Sequence, residues 1–154
     1  MTDDTAAIRE LLTQVIPEVA NGSVQIRGIA RESGVLTKVA LLSRDSSIDC
    51  IAACVGYRGS RIKQIVEQLN KERIDLVRWS EPIETFITNA LQPIEVLSVT
   101  CDHLERRATA YVQEDQTSPY SMAQGWQGKH RRLASALCGI EIEIVPLRKS
   151  GETE

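Results

Sequence analysis

The sequence predicts an α+β fold made of two similar modules in tandem, and three observations lead to this prediction. Apolar residues change between helical and strand spacing in the same order in both halves of the chain. A Gly-x-x-Gly segment lies between a short apolar helix and a basic helix in each half, at 56–59 and at 125–128. No Gly/Ser-rich linker separates the halves, so we expect them to pack as one rigid unit.

The first half of the chain follows the order helix–strand–strand–helix–loop–helix–strand. Acidic residues precede the first helix, and Pro17 is expected to help end it. Ile62, Ile65, Val66 and Leu69 recur at the spacing of one helical face. The predicted elements are a helix over 5–14, strands over 24–30 and 36–43, helices over 48–55 and 60–70, and a strand over 73–79.

The second half repeats this order with little sequence identity. Its predicted elements are a helix over 82–91, strands over 96–101 and 107–112, a short helix over 120–124, a loop over 125–128, a helix over 129–138 and a strand over 140–144. Residues 146–154 are predicted to form a polar tail. We therefore place the first module with its leading helix at 1–81, the second at 82–149, and the end of the tail at 150–154.

The overall composition is that of a globular protein with one domain or two small ones. The 154 residues are 42% hydrophobic and 25% charged. No apolar run approaches the roughly 20 residues of a membrane-spanning helix. The N-terminus lacks the basic start and apolar core of a secretory signal. We therefore expect a cytoplasmic protein without a membrane partner.

The cysteines are too few and too irregularly spaced to complete a metal site. Cys50 and Cys54 lie four positions apart, as two ligands on a helix would, but no second Cys/His pair joins them. We therefore expect neither a metal nor a cofactor. We also expect four buried or half-buried free thiols: Cys50, Cys54, Cys101 and Cys138.

Basic residues are concentrated around the two Gly-x-x-Gly segments, although the net charge of the chain is −3. Residues 22–149 contain 17 basic and 15 acidic residues. Residues 54–66 contain three basic residues and no acidic one, and residues 121–138 also contain three basic residues and no acidic one. Local charge, rather than total charge, decides whether a phosphate chain is attracted.

A Gly-x-x-Gly segment between two helices has the properties of a phosphate site. Glycine permits positive φ, and the following helix presents unpaired N–H groups and partial positive charge. A strand edge and an apolar helix face beside each segment predict a groove for an unpaired base. The repeated arrangement favours binding of RNA or another single-stranded nucleic acid over a plain turn. Tyr57 and Trp126 either stack on a base or pack on their own helices.

The second segment is also a partial P-loop. It lacks the full spacing and the Ser/Thr that follows the lysine in that motif. No serine has a matching His–Asp set, so we do not expect an enzyme.

Longer stretches resemble the first K-homology (KH) module of NusA, a bacterial family of transcription elongation, termination and antitermination factors. They are GSVQIRGIARESGVLTKVAL, SRDSSIDCIAACVGYRGSRIKQIVEQL and ERIDLVRWSEPIETFITNALQPIEV, and the match spans about residues 8–98. VQEDQ, the second Gly-x-x-Gly and RRLASALCGIEIEI resemble that family's second KH module less closely. The resemblance implies two tandem type II KH modules with the topology α-β-β-α-α-β.

The resemblance also implies two sites for single-stranded RNA, since a KH module clamps about four nucleotides. The second loop departs from the family in having Trp126-Gln127 where a basic residue is usual, and Arg131 replaces a usually apolar residue. The first site would consist of Gly56, Tyr57, Arg58, Gly59, Ser60, Arg61 and Lys63. The second would consist of Gly125, Trp126, Gln127, Gly128, Lys129 and Arg132.

The resemblance implies an RNA-binding role in transcription, with RNA polymerase or other transcription factors as candidate partners. The family's polymerase-binding and S1 domains have no counterpart in this sequence, so we expect a stand-alone protein of two KH modules. Two alternatives stay open. One is a KH-type RNA binder in ribosome assembly or RNA processing, and the other is a protein-interaction module with a degenerate second KH.

Overall fold

The computed structural model describes residues 4–113 and 126–147. The chain divides into two compact units between Ser80 and Glu81. Each unit contains one three-stranded sheet and several helices, which confirms the predicted α+β class. The module bounds at 1–81 and 82–149, and the packing of the modules as one rigid unit, stay predictions.

Unit 1 is a mixed sheet with helices. Its strands are in the order β1-β2-β3, with β1 antiparallel and β3 parallel to β2. Parallel neighbours require a crossover connection, which α3, a 3-10 turn and α4 provide here. The elements are α1 (Asp4–Val15), α2 (Pro17–Ala20), β1 (Val24–Glu32), β2 (Leu36–Ser43), α3 (Cys50–Val55), the turn Tyr57–Gly59, α4 (Ser60–Gln68) and β3 (Arg73–Arg78).

The core of unit 1 anchors the crossover helices to the sheet. Ile8 and Leu12 of α1, Leu41 of β2 and Ile65 of α4 are fully buried in one hydrophobic cluster. Cys54 of α3 belongs to the same cluster, and burial raises the pKa of its thiol to about 12. The expected thiols are confirmed, since all four cysteines are free and each is buried or half-buried.

Unit 2 has the same strand order and directions as unit 1. Its elements are α5 (Ile83–Leu91), β4 (Ser98–Asp102), β5 (Arg107–Gln113), α6 (Trp126–Cys138) and β6 (Glu141–Leu147). β5 is the central strand, antiparallel to β4 and parallel to β6. α5 packs against α6 and β4, and its apolar face is buried at Phe86, Ile87, Ala90 and Leu91.

Several predicted element bounds are wrong. Pro17 not only follows α1 but also begins α2, because the first helical position needs no N–H donor. α4 ends at Gln68 rather than at residue 70, since Asn70 has a left-handed φ of 56°. Pro146 and Leu147 belong to β6 and not to a polar tail. Pro146 is tolerated because β6 is an edge strand of the sheet formed by the described residues. The predicted helix over 120–124 and the tail over 150–154 lie outside the described residues.

Candidate nucleic-acid interface

The candidate interface of unit 1 begins at α3, whose first turn is fixed by Asp49. The Asp49 carboxylate accepts hydrogen bonds from the N–H groups of Ile51 (2.9 Å) and Ala52 (3.2 Å). Arg78 of β3 donates to both oxygens of the same carboxylate, at 2.9 and 2.8 Å. These bonds hold the pKa of Asp49 below its usual value, and the bonds from Arg78 have the largest effect. Asp49 therefore ties the start of α3 to the strand that follows the crossover.

Gly56 ends α3 in a conformation that is nearly restricted to glycine. Its φ and ψ are 78° and 174°, and its N–H donates to the Ala52 carbonyl at 3.0 Å. A Cβ on Gly56 would lie 2.6 Å from Cγ of Arg61. The first glycine of the motif is therefore required both by the backbone and by the close approach of the Arg61 side chain.

A tight turn connects Gly56 to α4. The N–H of Gly59 donates to the Gly56 carbonyl at 3.0 Å, and both Arg58 (φ 55°) and Gly59 (φ 75°) are left-handed. A left-handed conformation costs a non-glycine residue roughly 1–2 kcal/mol. Such strain persists only where the surrounding structure imposes it, and it is concentrated at binding sites. We call residues 56–59 the 56–59 loop.

The 56–59 loop leaves the N-terminus of α4 open to a ligand. Gly59, the N-cap residue, provides no side-chain hydrogen bond, and the first turn of α4 contains no acidic residue. The N–H groups of a first helical turn have no partner within the helix and carry partial positive charge. This arrangement is suited to a phosphate group.

The three basic side chains predicted for the first site have different environments. Arg58 and Lys63 are exposed, and Cε of Lys63 lies 3.7 Å from the position of a Cβ on Gly59. Arg61 is half-buried instead, and its Nη1 atom donates to Glu18 Oε1 at 2.8 Å and to the Ala53 carbonyl at 2.7 Å. Arg58 and Lys63 are thus available to an anion, whereas Arg61 joins α4 to α2 and α3.

The groove beside the loop stays a prediction, but unit 1 contains the two elements expected to flank it, a helix and an edge strand. α3 packs against β3, and β3 is an edge strand of the described sheet. The outer backbone groups of an edge strand are available for hydrogen bonds. The edge of β3 therefore lies beside the crossover that carries the 56–59 loop.

The second predicted loop differs from the first. α6 begins at Trp126, so Trp126, Gln127 and Gly128 lie in a helix and the predicted loop is wrong at these three positions. Glycine within a helix costs only about 1 kcal/mol relative to alanine, so Gly128 does not prevent the helix from starting earlier. Gly125 lies outside the described residues. The side-chain environments of Trp126 and Gln127 are also outside the description.

The basic residues of α6 face different surroundings. Lys129 is half-buried and Arg132 is exposed. Arg131, which stands where the family usually has an apolar residue, donates from Nη1 to the Ile142 carbonyl of β6 at 3.4 Å. The helix still buries Leu133 and Ala134. Arg131 therefore replaces an apolar contact by a hydrogen bond at the margin of the core.

Two family models match nearly the whole chain. The model of the NusA-like first KH domain matches residues 2–79, and that of the NusA-like second KH domain matches residues 83–152. The chain belongs to the NusA-like KH family. The resemblance stated from the sequence is thereby confirmed, as are the two KH modules.

Curated relatives of the NusA-like KH family are considerably longer than this chain. The transcription termination/antitermination protein NusA of Thermus thermophilus is 41% identical over 137 residues, which are 89% of this chain and 35% of that protein. The NusA proteins of Bacillus subtilis and Rickettsia conorii are 37% and 36% identical over 89% and 92% of this chain. The chain spans 36% and 28% of their respective lengths.

A solved structure supports the fold independently. The crystal structure of APE1850 superposes with a TM-score of 0.59 at 21% identity, covering 90% of this chain and 94% of that one. At this identity the likeness concerns the fold alone.

Two contacts of this NusA-like interface were not predicted from the sequence. They are the Arg61–Glu18 and Arg78–Asp49 ion pairs. Glu18 follows the first predicted helix and Asp49 lies at the start of another, and only the fold reveals the partners of these two acids. Within the described residues, no helix has the length and apolar character to cross a membrane, and no group of three or more metal-ligating side chains is present.

Proposed function

We propose that the chain binds single-stranded RNA, chiefly through the 56–59 loop, and that it does so in transcription. The observation that carries the RNA assignment is the open N-terminus of α4 with Arg58 and Lys63 exposed beside it. A phosphate on the first turn of α4 would accept hydrogen bonds from backbone N–H groups, and Arg58 and Lys63 would neutralise neighbouring phosphates. The edge of β3 provides hydrogen-bonding groups for an unpaired base.

Membership of the NusA-like KH family supports this proposal. Relatives that share 36–41% identity with the chain are named transcription termination/antitermination proteins. Candidate partners are therefore nascent RNA and RNA polymerase. We place a further RNA contact in the second module at Lys129 and Arg132 of α6, although Gly128 lies within a helix and not in a left-handed turn.

The RNA assignment is tested by replacing the two central residues of the loop with acids. The variant Tyr57→Asp/Arg58→Asp should lose RNA affinity because it places negative charge where phosphate would lie. A control with the same charge change is Leu104→Asp/Arg107→Asp, at exposed positions of unit 2. Fluorescence anisotropy with labelled single-stranded RNA measures both. Equal affinity of the loop variant and the wild type contradicts the proposal.

The second module is tested with Trp126→Asp/Gln127→Asp alone and combined with the first variant. A larger loss in the combined variant indicates RNA contacts in both modules. No further loss favours a second module that binds another protein.

The role in transcription is tested separately by ultraviolet crosslinking in cells and sequencing of the bound RNA. Nascent transcripts and co-purified polymerase are the expected result. Enrichment of ribosomal RNA alone would instead support a role in ribosome assembly.

A further inference from the structure

We infer that Tyr57 stacks on a nucleobase next to the phosphate held by the 56–59 loop. The inference rests on the proposed RNA function and narrows its ligand to single-stranded RNA with an unpaired base at that position. It assigns a base contact to a loop that the proposed function uses for the phosphate backbone.

The exposure of Tyr57 is the first observation. Tyr57 is 79% exposed, whereas Phe86 is 5% exposed and Trp79 and Tyr111 are half-buried. Of the Phe, Trp and Tyr residues whose burial the structure describes, Tyr57 is the one that is exposed. The sequence left open whether Tyr57 packs on its own helix, and this exposure contradicts such packing.

The second observation is that the backbone under Tyr57 is fixed. The N–H of Gly59 is bonded to the Gly56 carbonyl across the residue, and the N–H of Ser60 is bonded to the Tyr57 carbonyl. A tyrosine side chain has only two rotatable torsions, so it loses little conformational entropy when a flat partner stacks on it. The ring is therefore presented to solvent on a rigid support, as a binding residue should be.

The third observation is the position of Arg58. Its Cζ atom lies 5.3 Å from the centroid of the Tyr57 ring, within the range of a cation–π contact. The guanidinium covers part of the ring and places positive charge beside it. A base on the uncovered part of the ring would have its own phosphate near Arg58. Stacking and charge neutralisation would thus act on the same nucleotide or on adjacent ones.

The chemistry of the ligand follows from these three observations. Every nucleobase has an aromatic face, so stacking tolerates different sequences but requires a base that is not paired. Purines stack over a larger area, so we expect a purine to be preferred at this position. Double-stranded RNA should bind weakly, since its bases are not available to the ring.

The test uses the full chain and two substitutions at one position. Tyr57→Phe keeps the ring, whereas Tyr57→Leu keeps apolar bulk and removes it. Leu104→Ala is the control, because Leu104 is 95% exposed in the turn between β4 and β5. The probe is a single-stranded RNA that the wild-type chain selects from a randomised pool. Its length of about 12 nucleotides exceeds the roughly four nucleotides that one KH module clamps.

The expected results are specific to stacking. Tyr57→Phe and Leu104→Ala should bind within about twofold of the wild type, and Tyr57→Leu should lose about tenfold or more in affinity. Replacing each base in turn by 2-aminopurine should show fluorescence quenching at one position in the wild type and none there in Tyr57→Leu. An abasic nucleotide at that position should weaken the wild type but not weaken Tyr57→Leu further.

The contradicting results separate this inference from the proposed function. Tyr57→Leu with wild-type affinity and quenching overturns stacking, while a loss in Tyr57→Asp/Arg58→Asp would still support the RNA site. The inference is also overturned if Tyr57→Leu keeps its RNA affinity but no longer crosslinks to a protein that the wild type captures. That result would assign the ring to a protein partner. Failure of the wild type to enrich any RNA overturns both proposals. Unfolding curves of Tyr57→Leu should match the wild type, because the ring is exposed.

Discussion

Arg61 Nη1 lies 2.8 Å from Oε1 of Glu18, and this ion pair joins α4 to α2 across 43 positions of sequence. The same nitrogen is bonded to the Ala53 carbonyl near the end of α3. Arg61 thus holds together the two helices that flank the 56–59 loop. Arg61 therefore positions the helices, and the exposed Arg58 and Lys63 are the side chains that we expect to contact the proposed phosphate.

We predict that Arg61→Ala lowers the free energy of unfolding, whereas Lys63→Ala does not. The loss should be about 1–2 kcal/mol, because a charged hydrogen bond is removed and the Ala53 carbonyl loses a donor. Urea unfolding measures the difference. Glu18→Gln combined with Arg61→Ala should cost less than the sum of the single changes, which a double-mutant cycle reveals. Additive effects would contradict the coupling.

The left-handed conformation of Arg58 predicts a separation of stability from binding. Arg58→Gly relieves the strain at φ 55° but adds flexibility to the unfolded chain, so the unfolding free energy should stay within about 1 kcal/mol. RNA affinity should fall, and the slope of log K against log salt should become shallower by about 0.7 for the lost phosphate contact. An unchanged slope would show that Arg58 does not contact phosphate.

The two glycines of the loop should respond differently to alanine. At Gly59 (φ 75°, ψ 15°) a Cβ meets its nearest atom at 3.7 Å, so the cost is that of a left-handed alanine, roughly 1–2 kcal/mol. Gly56→Ala should cost more, since its Cβ would lie 2.6 Å from the Arg61 side chain and its φ/ψ region is nearly restricted to glycine. Thermal unfolding compares the variants. Equal costs would contradict the close approach.

Glu72 predicts a pH-dependent contribution to stability. It is 2% exposed, and its carboxylate accepts bonds from Arg31 (2.9 Å), the Gly34 N–H (2.9 Å) and the Thr37 hydroxyl. Burial alone would raise the pKa of Glu72, but these bonds lower it below its ordinary value. The carboxylate therefore stabilises the fold above its unfolded-state pKa of about 4.3, and this stabilisation is lost as the pH falls through the lower folded-state pKa.

Glu72→Gln should consequently destabilise the chain by about 3 kcal/mol at pH 7, because Arg31 loses its buried partner. The difference from the wild type should narrow as the pH is lowered. Glu67→Gln is the control, since Glu67 and Lys71 form an exposed pair worth less than about 1 kcal/mol. Chemical unfolding at pH 7 and at acid pH measures the free energies of unfolding of both proteins. If the difference between wild type and Glu72→Gln is the same at both pH values, ionisation of Glu72 does not contribute to stability as predicted.

Local signals predicted most of the first module. The spacing of Ile62 and Ile65 indicated α4, and the paired glycines indicated a turn of positive φ, which Gly56 and Gly59 adopt. The end of α4 was missed because Asn70 and Lys71 take left-handed conformations without a glycine or proline to mark them. Arg61 could not be assigned to Glu18 from sequence, since their approach depends on how α2 and α4 pack.

The second module shows why a repeated motif does not guarantee a repeated conformation. Gly59 is left-handed and precedes α4, whereas Gly128 lies inside α6. Both glycines belong to the same pattern in the sequence. Glycine permits either conformation, so the pattern alone could not distinguish a loop from a helical turn.

The 56–59 loop lies within the crossover between the parallel strands β2 and β3. Its two flanking helices take their positions only when both strands are paired, so an unfolded chain has no such site. RNA should therefore act as a thermodynamic ligand of the folded state. At a free concentration 100 times Kd it would add about 2.7 kcal/mol to the unfolding free energy. Occupancy by RNA would then slow proteolysis and hydrogen exchange throughout β2 and β3, including at backbone groups that the RNA does not touch.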